Sequence, residues 1–157
     1  MVRKLSVLGS IVAIAAFGLA TLVPSAGATG DTTRIRVNSF TIEEHFVDVP
    51  PANESLGDQI VFSTNLKKSG QRVGNVHVVC TITALRSGTV QCLATASFVQ
   101  SFHGGGQITV QGVLSGEPTD FTLAITGGTG SFVGAEGEVH VHQVSPGLEV
   151  LTFELRN

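Results

Sequence analysis

Tryptophan and tyrosine are absent from this 157-residue chain, and phenylalanine, in nine copies, is its only aromatic residue. That removes the amphipathic rings with which sugar-binding and protein-binding surfaces combine an apolar body with a polar handle. Charge is sparse too: 13% of the residues are Asp, Glu, Lys or Arg, and the formal charge is −3. The basic residues are scattered beyond the N-terminus, with only Lys67-Lys68 adjacent. No stripe can neutralise a run of phosphates, so nucleic acid is not an expected partner. A nucleophile elbow of the G-x-S-x-G type is also missing, and no segment of the mature chain carries apolar residues at helical spacing.

What is present begins with a targeting segment. Arg3 and Lys4 precede an apolar stretch, Leu5 to Val23, and Ala26-Gly27-Ala28 supplies the small-x-small pattern of a cleavage site. We read 1–28 as a signal peptide, 29–157 as one barrel domain, and the destination as secreted. Gly9, Ser10 and Gly18 punctuate the apolar stretch and Pro24 stands just before the small residues, which favours export and cleavage over a retained membrane anchor. Loss of Arg3 and Lys4 takes the formal charge from −3 to −5. No membrane contact is expected afterwards.

The mature chain reads as eight strand-like segments: Ile35 to Val47, Gln59 to Leu66, Val73 to Leu85, Thr89 to Phe102, Gln107 to Leu114, Asp120 to Thr126, Phe132 to Val144 and Glu149 to Leu155. The connectors PPANESLGD, KKSGQ, RSG, HGGG, SGEPT, GGTG and SPG carry turn chemistry. Eight antiparallel strands either form a sandwich or close on themselves, and closure removes exposed edges. The expected fold is all-β, a closed eight-stranded antiparallel barrel whose interior holds side chains or one small ligand.

Cys80 and Cys92 flank the LRSGT turn. A hairpin centred near Arg86 sets them opposite each other; a centre between Ser87 and Gly88 leaves them three positions out of register. Two neighbouring cysteines in an exported protein point to a disulfide. The rival is a free thiol in a pocket.

The run AITGGTGSFVGAEGEV, Ala124 to Val139, looks like a nucleotide loop but lacks the Lys-Ser/Thr pair and the following helix that a phosphate cradle needs. Its glycines read as a tight turn between strands. Taken with SLGDQIVF (Ser55 to Phe62), RVGNVHVVC (Arg72 to Cys80) and QITVQG (Gln107 to Gly112), in this order and spacing, it resembles the allene oxide cyclases and, more loosely, the dirigent proteins. The resemblance covers about Phe40 to Leu155. It implies a trimer of barrels, each with an apolar pocket at its mouth.

On that resemblance, Glu43 falls where the cyclases carry a glutamate that stabilises positive charge during epoxide opening. His45 falls on a water-holding asparagine, Pro51 within one position of a pocket proline, and Cys80 on a pocket cysteine. The second asparagine is replaced by Thr64, or by Asn65 after a slip of one residue that reverses its face. A pocket tyrosine becomes Leu114. The water shell is thus largely rewritten, which moves the expected chemistry from allene oxide cyclisation to acid/base or charge-stabilising work by a pocket carboxylate.

By residues alone, Glu43 and His45 are two apart on a strand and share a face, where they can exchange a proton or simply be solvated. In Phe40 to Phe46 the set Phe40, Ile42, Phe46 is apolar and the set Thr41, Glu43, His45 polar. If the polar set faces the pocket, the apolar set needs cover, and a homotrimer supplies it. His140 and His142, with Glu136 and Glu138 in line, could suggest a metal, but no third imidazole or thiol is near in sequence. We read them as an outer face, His103 as a loop residue, and expect neither metal nor cofactor. Two functions follow: a secreted isomerase or cyclase acting on a small apolar molecule through Glu43 and His45, or a non-catalytic barrel that binds or sterically guides its ligand.

Overall fold

The computed structural model describes residues 31–156; the segment read as a signal peptide lies outside them. Eight strands follow in order: β1 Thr32–Val47, β2 Gln59–Lys68, β3 Gln71–Ala84, β4 Thr89–Phe98, β5 Gly106–Ser115, β6 Asp120–Gly130, β7 Glu136–Ser145 and β8 Leu148–Arg156. Each pairs antiparallel with its neighbour in sequence, and β8 pairs with β1 to close the barrel. The described residues contain no helix. The architecture is the one the alternating pattern predicts.

Alternation decides which residues go inside. On β7, Val139 and Val141 are buried while His140 and His142 face out; on β8, Leu151, Phe153 and Leu155 are buried. Each such side chain contributes roughly 1.5–3 kcal/mol when fully removed from water, so one parity of every strand drives closure. The β1–β2, β3–β4, β5–β6 and β7–β8 connections gather at one end, the mouth. The opposite end is floored by phenylalanines: the Phe98 ring lies 5.3 Å from Phe132, 5.6 Å from Phe102 and 5.7 Å from Phe153.

The glycine run departs from expectation. β6 does not turn at Gly127 but continues to Gly130, with Gly127, Gly128 and Thr129 opposite Thr109, Ile108 and Gln107. The chain reverses afterwards, over 131–135. Gly128 is needed because the backbones approach too closely for a side chain: a Cβ there would stand 2.3 Å from the Phe132 carbonyl oxygen and 2.7 Å from that of Gln107. Phe132, expected to begin a strand, folds under the barrel instead and is 5% exposed. β4 likewise stops at Phe98, and Phe102 sits in the following turn, its N–H bonded to the Val99 carbonyl at 2.9 Å.

The first strand carries a register shift. Thr41 lies opposite Thr64, yet Glu43 lies opposite Ser63, so Ile42 is an extra residue on β1 and stands 60% exposed. A single extra residue reverses the facing of everything beyond it. Ser39 and Thr41 belong to the inner parity; Glu44 and Phe46, opposite Phe62 and Ile60, inherit it after the bulge. Glu43 and His45 are turned to the outer wall.

Cys80 and Cys92 are direct cross-strand partners, joined by a disulfide, and both are buried inside the barrel. The hairpin is therefore the one centred near Arg86. Titration of denatured, unreduced protein is expected to find no free thiol, and reduction is expected to cost about 3 kcal/mol in urea unfolding for a loop this short. Gly128→Ala is expected to lose about 1–3 kcal/mol by overpacking in the same measurement.

Candidate functional site

Between the phenylalanine floor and the mouth the barrel encloses a cavity of about 210 Å³. Its wall is almost entirely apolar, with Phe62, Val78, Val110, Leu114 and Phe121 among the residues that shape it, and the Cys80–Cys92 disulfide forms part of it. Three polar side chains interrupt that surface: Ser39, Thr64 and Glu149. Ser39 and Thr64 satisfy one another, the Ser39 hydroxyl donating to Thr64 Oγ1 at 2.8 Å with both residues about 1% exposed.

Glu149 is different. It opens β8 at the mouth end, opposite Ser39 on β1 and Gln143 on β7, and is the one charged residue of the cavity wall. Its side chain has no hydrogen bond or ion pair with any described residue. Burial among apolar neighbours raises its pKa above the ordinary value, since the desolvated charge has nothing to offset it. A carboxyl in this setting can be a neutral donor or a bare anion.

The expected site residues divide. Thr64 and Leu114 line the cavity. Pro51, which follows a cis peptide, is exposed in the β1–β2 loop away from the cavity wall. Glu43 and His45 do not face the interior: His45 Nε2 donates to Glu43 Oε1 at 2.9 Å, and both side chains are about two-thirds exposed. The Ile42 bulge is the reason. Their pairing was legible in the sequence; their facing was not.

What sequence reading missed is Glu149. The signal was available, because Glu149, Leu151, Phe153 and Leu155 share one parity and the last three are the buried face of β8. A carboxylate continuing an apolar row must point where the row points.

The β1–β2 loop beside the mouth is fixed by a buried carboxylate. Asp58, fully buried, accepts from the Val49 N–H at 2.8 Å, the Ser55 N–H at 2.7 Å and the Ser55 hydroxyl at 3.1 Å. The Val49 amide, followed by that of Ser55, holds its pKa below the usual value against the opposing effect of burial.

Two grooves mark the outer wall. One, of about 610 Å³, runs beside Glu43, His45, Ser63, His77, Leu93 and Thr95. The other, about 330 Å³, includes His140 and His142. Each of these histidines is engaged separately: His140 Nδ1 is 2.9 Å from the Thr122 hydroxyl, and His142 Nδ1 donates to Asp120 Oδ1 at 2.6 Å. No group of three potential metal ligands converges among the described residues.

Comparison with known proteins agrees with the barrel. A pyocyanin demethylase superposes with a TM-score of 0.67 at 23% identity, covering 78% of this chain and 99% of its own. A pterocarpan synthase dirigent protein gives 0.63 at 15% identity, with 80% and 83% covered. The Diels-Alderase AbmU from Streptomyces koyangensis gives 0.61 at 16% identity, with 84% and 71% covered. At these identities the likeness is one of fold. No curated protein matches the sequence. The allene oxide cyclase barrel-like domain model matches residues 37–154, three-quarters of the chain, and the protein belongs to that family.

Proposed function

We propose that this is a secreted barrel that takes a small, largely apolar molecule into its interior and acts on it as an isomerase or cyclase, with Glu149 as the charge-bearing group. One observation carries the reading: an apolar cavity whose wall contains a single carboxyl with no partner. Such a group costs stability, and ligand chemistry is where that cost is recovered. The wall holds a flexible molecule in one conformer and excludes water, while Glu149 donates a proton or stabilises positive charge as bonds rearrange. Thr64 and Leu114 contact the ligand. Relatives of the same fold bear the names of a demethylase, a dirigent protein and a Diels-Alderase, which suits a container whose contents vary. Glu43 and His45 could exchange a proton only with something seated in the outer groove.

The second reading is a barrel without catalysis, a carrier or a steric guide, in which Glu149 only orients the ligand. Incubating residues 29–157 with a small-molecule extract of the producing organism, then identifying what is retained and what is transformed, separates the two. Leu114→Trp, which fills the cavity, is expected to abolish retention under either. Under catalysis, Glu149→Gln is expected to slow transformation at least about a hundredfold, the lower range for a positioned acid or base. A carrier transforms nothing in either form.

The state of Glu149 can be read without a ligand. Its pKa is raised by folding, so the folded protein holds a proton that the unfolded chain releases, and stability falls as pH rises from the ordinary 4.5 through the raised value. Glu149→Gln lacks this loss. The variant is expected to gain on the wild type across that window in urea unfolding, and a gain that is the same at pH 4 and pH 7 would place Glu149 in water.

We also propose a homotrimer. Val79, Leu93 and Val113 stand 37%, 54% and 59% exposed on the outer wall of β3, β4 and β5, a patch that association would cover. Phe40 contributes less than its sequence parity suggests, since the Lys67 ammonium lies over its ring at 4.8 Å. Sedimentation at micromolar concentration is expected to give three chain masses for the wild type and one for Leu93→Asp.

A further inference from the structure

The charges of the barrel are divided between its ends. Of the twelve acidic residues, Asp31, Glu136, Glu138 and Glu154 lie towards the floor, and the other eight lie on the mouth half or its loops. The cations are arranged the other way: of seven Lys and Arg in 31–156, Arg86 alone is at the mouth, while Arg34, Arg36, Lys67, Lys68, Arg72 and Arg156 are near the floor. A molecule approaching the opening meets a negative field, and behind it the one charged group of the cavity wall, Glu149, is a carboxyl as well.

From this arrangement we infer that the ligand of the cavity is an apolar cation, an amine or a delocalised positive charge on a hydrophobic body, whose positive group pairs with Glu149. The inference rests on the reading of the cavity as the ligand site and adds the charge of what it takes. Three properties of the chain favour a cation. The mouth field concentrates positive solutes and repels anions, an effect that reaches well beyond contact distance when salt is low. Glu149 has no internal partner to give up, so the ligand's charge replaces water around the carboxylate rather than displacing another group. An anionic ligand finds no basic residue in the cavity wall, and would bring a second negative charge into the same apolar space. A neutral ligand gains at most one hydrogen bond from the protonated acid.

Three probes sharing one apolar body test this: 1-naphthylmethylammonium, 1-naphthylmethanol and 1-naphthoate, titrated against residues 29–157 at neutral pH and low salt. The ammonium probe is expected to bind at least about tenfold more tightly than the alcohol and the naphthoate most weakly, in the range measured for desolvated charge pairs. In Glu149→Gln the ratio of ammonium to alcohol affinity is expected to fall to about threefold or less, with the alcohol serving as the check that the variant is folded. Leu114→Trp is expected to weaken all three, which locates them in the cavity. If the alcohol or the naphthoate binds as well as the ammonium, the inference is overturned and the cavity reading stands. A preference for the ammonium that survives Glu149→Gln overturns it too, because the selectivity then arises elsewhere. If none of the three binds, or Leu114→Trp alters none of them, the cavity reading fails and the inference falls with it.

Discussion

A closed eight-stranded barrel admits only every second residue of each strand to its interior, and that rule of parity governs everything else in this protein. The inner set is apolar on nearly every strand, so closure follows from burial, and the space left between the rows is small and dry. A polar group can enter the cavity only by taking a place in an inner row. Ser39 and Thr64 do so as a mutually bonded pair. Glu149 does so alone.

Parity is a local property and can be reversed by one residue. The bulge at Ile42 leaves the lower half of β1 in the register its pattern suggests and inverts the upper half. Glu43 and His45 are thereby exchanged for Glu44 and Phe46 on the inner parity, near the mouth. The family resemblance implies that Glu43 faces the pocket, and the extra residue on β1, Ile42, turns it to the outer wall instead.

The fold was legible because its signals are redundant. Eight alternating segments, seven turn-rich connectors and the cysteine pair all demand the same hairpins, and an error of a few residues at one end of a strand leaves the topology intact. The glycine run differs for another reason: as a cluster, Gly127 to Gly130 suggest a turn, whereas Gly128 permits close approach of backbones from β5 and the following turn. That distinction depends on partners remote in sequence. The site was less legible than the fold. Thr64 and Leu114 follow the unbroken parity of their strands and lie in the cavity; Glu149 follows its strand equally well but is overshadowed in sequence by the Glu43-His45 pair, whose chemistry is the more suggestive and which lies just beyond a bulge.

The phenylalanine floor gives the barrel a single opening. On the proposed reading, a molecule leaves by the way it came; what enters first comes to lie against Phe153, and what trails lies level with Ser39 and Glu149. A molecule with two different ends is then sorted by which end leads, and the leading end passes the Glu149 carboxyl on its way in.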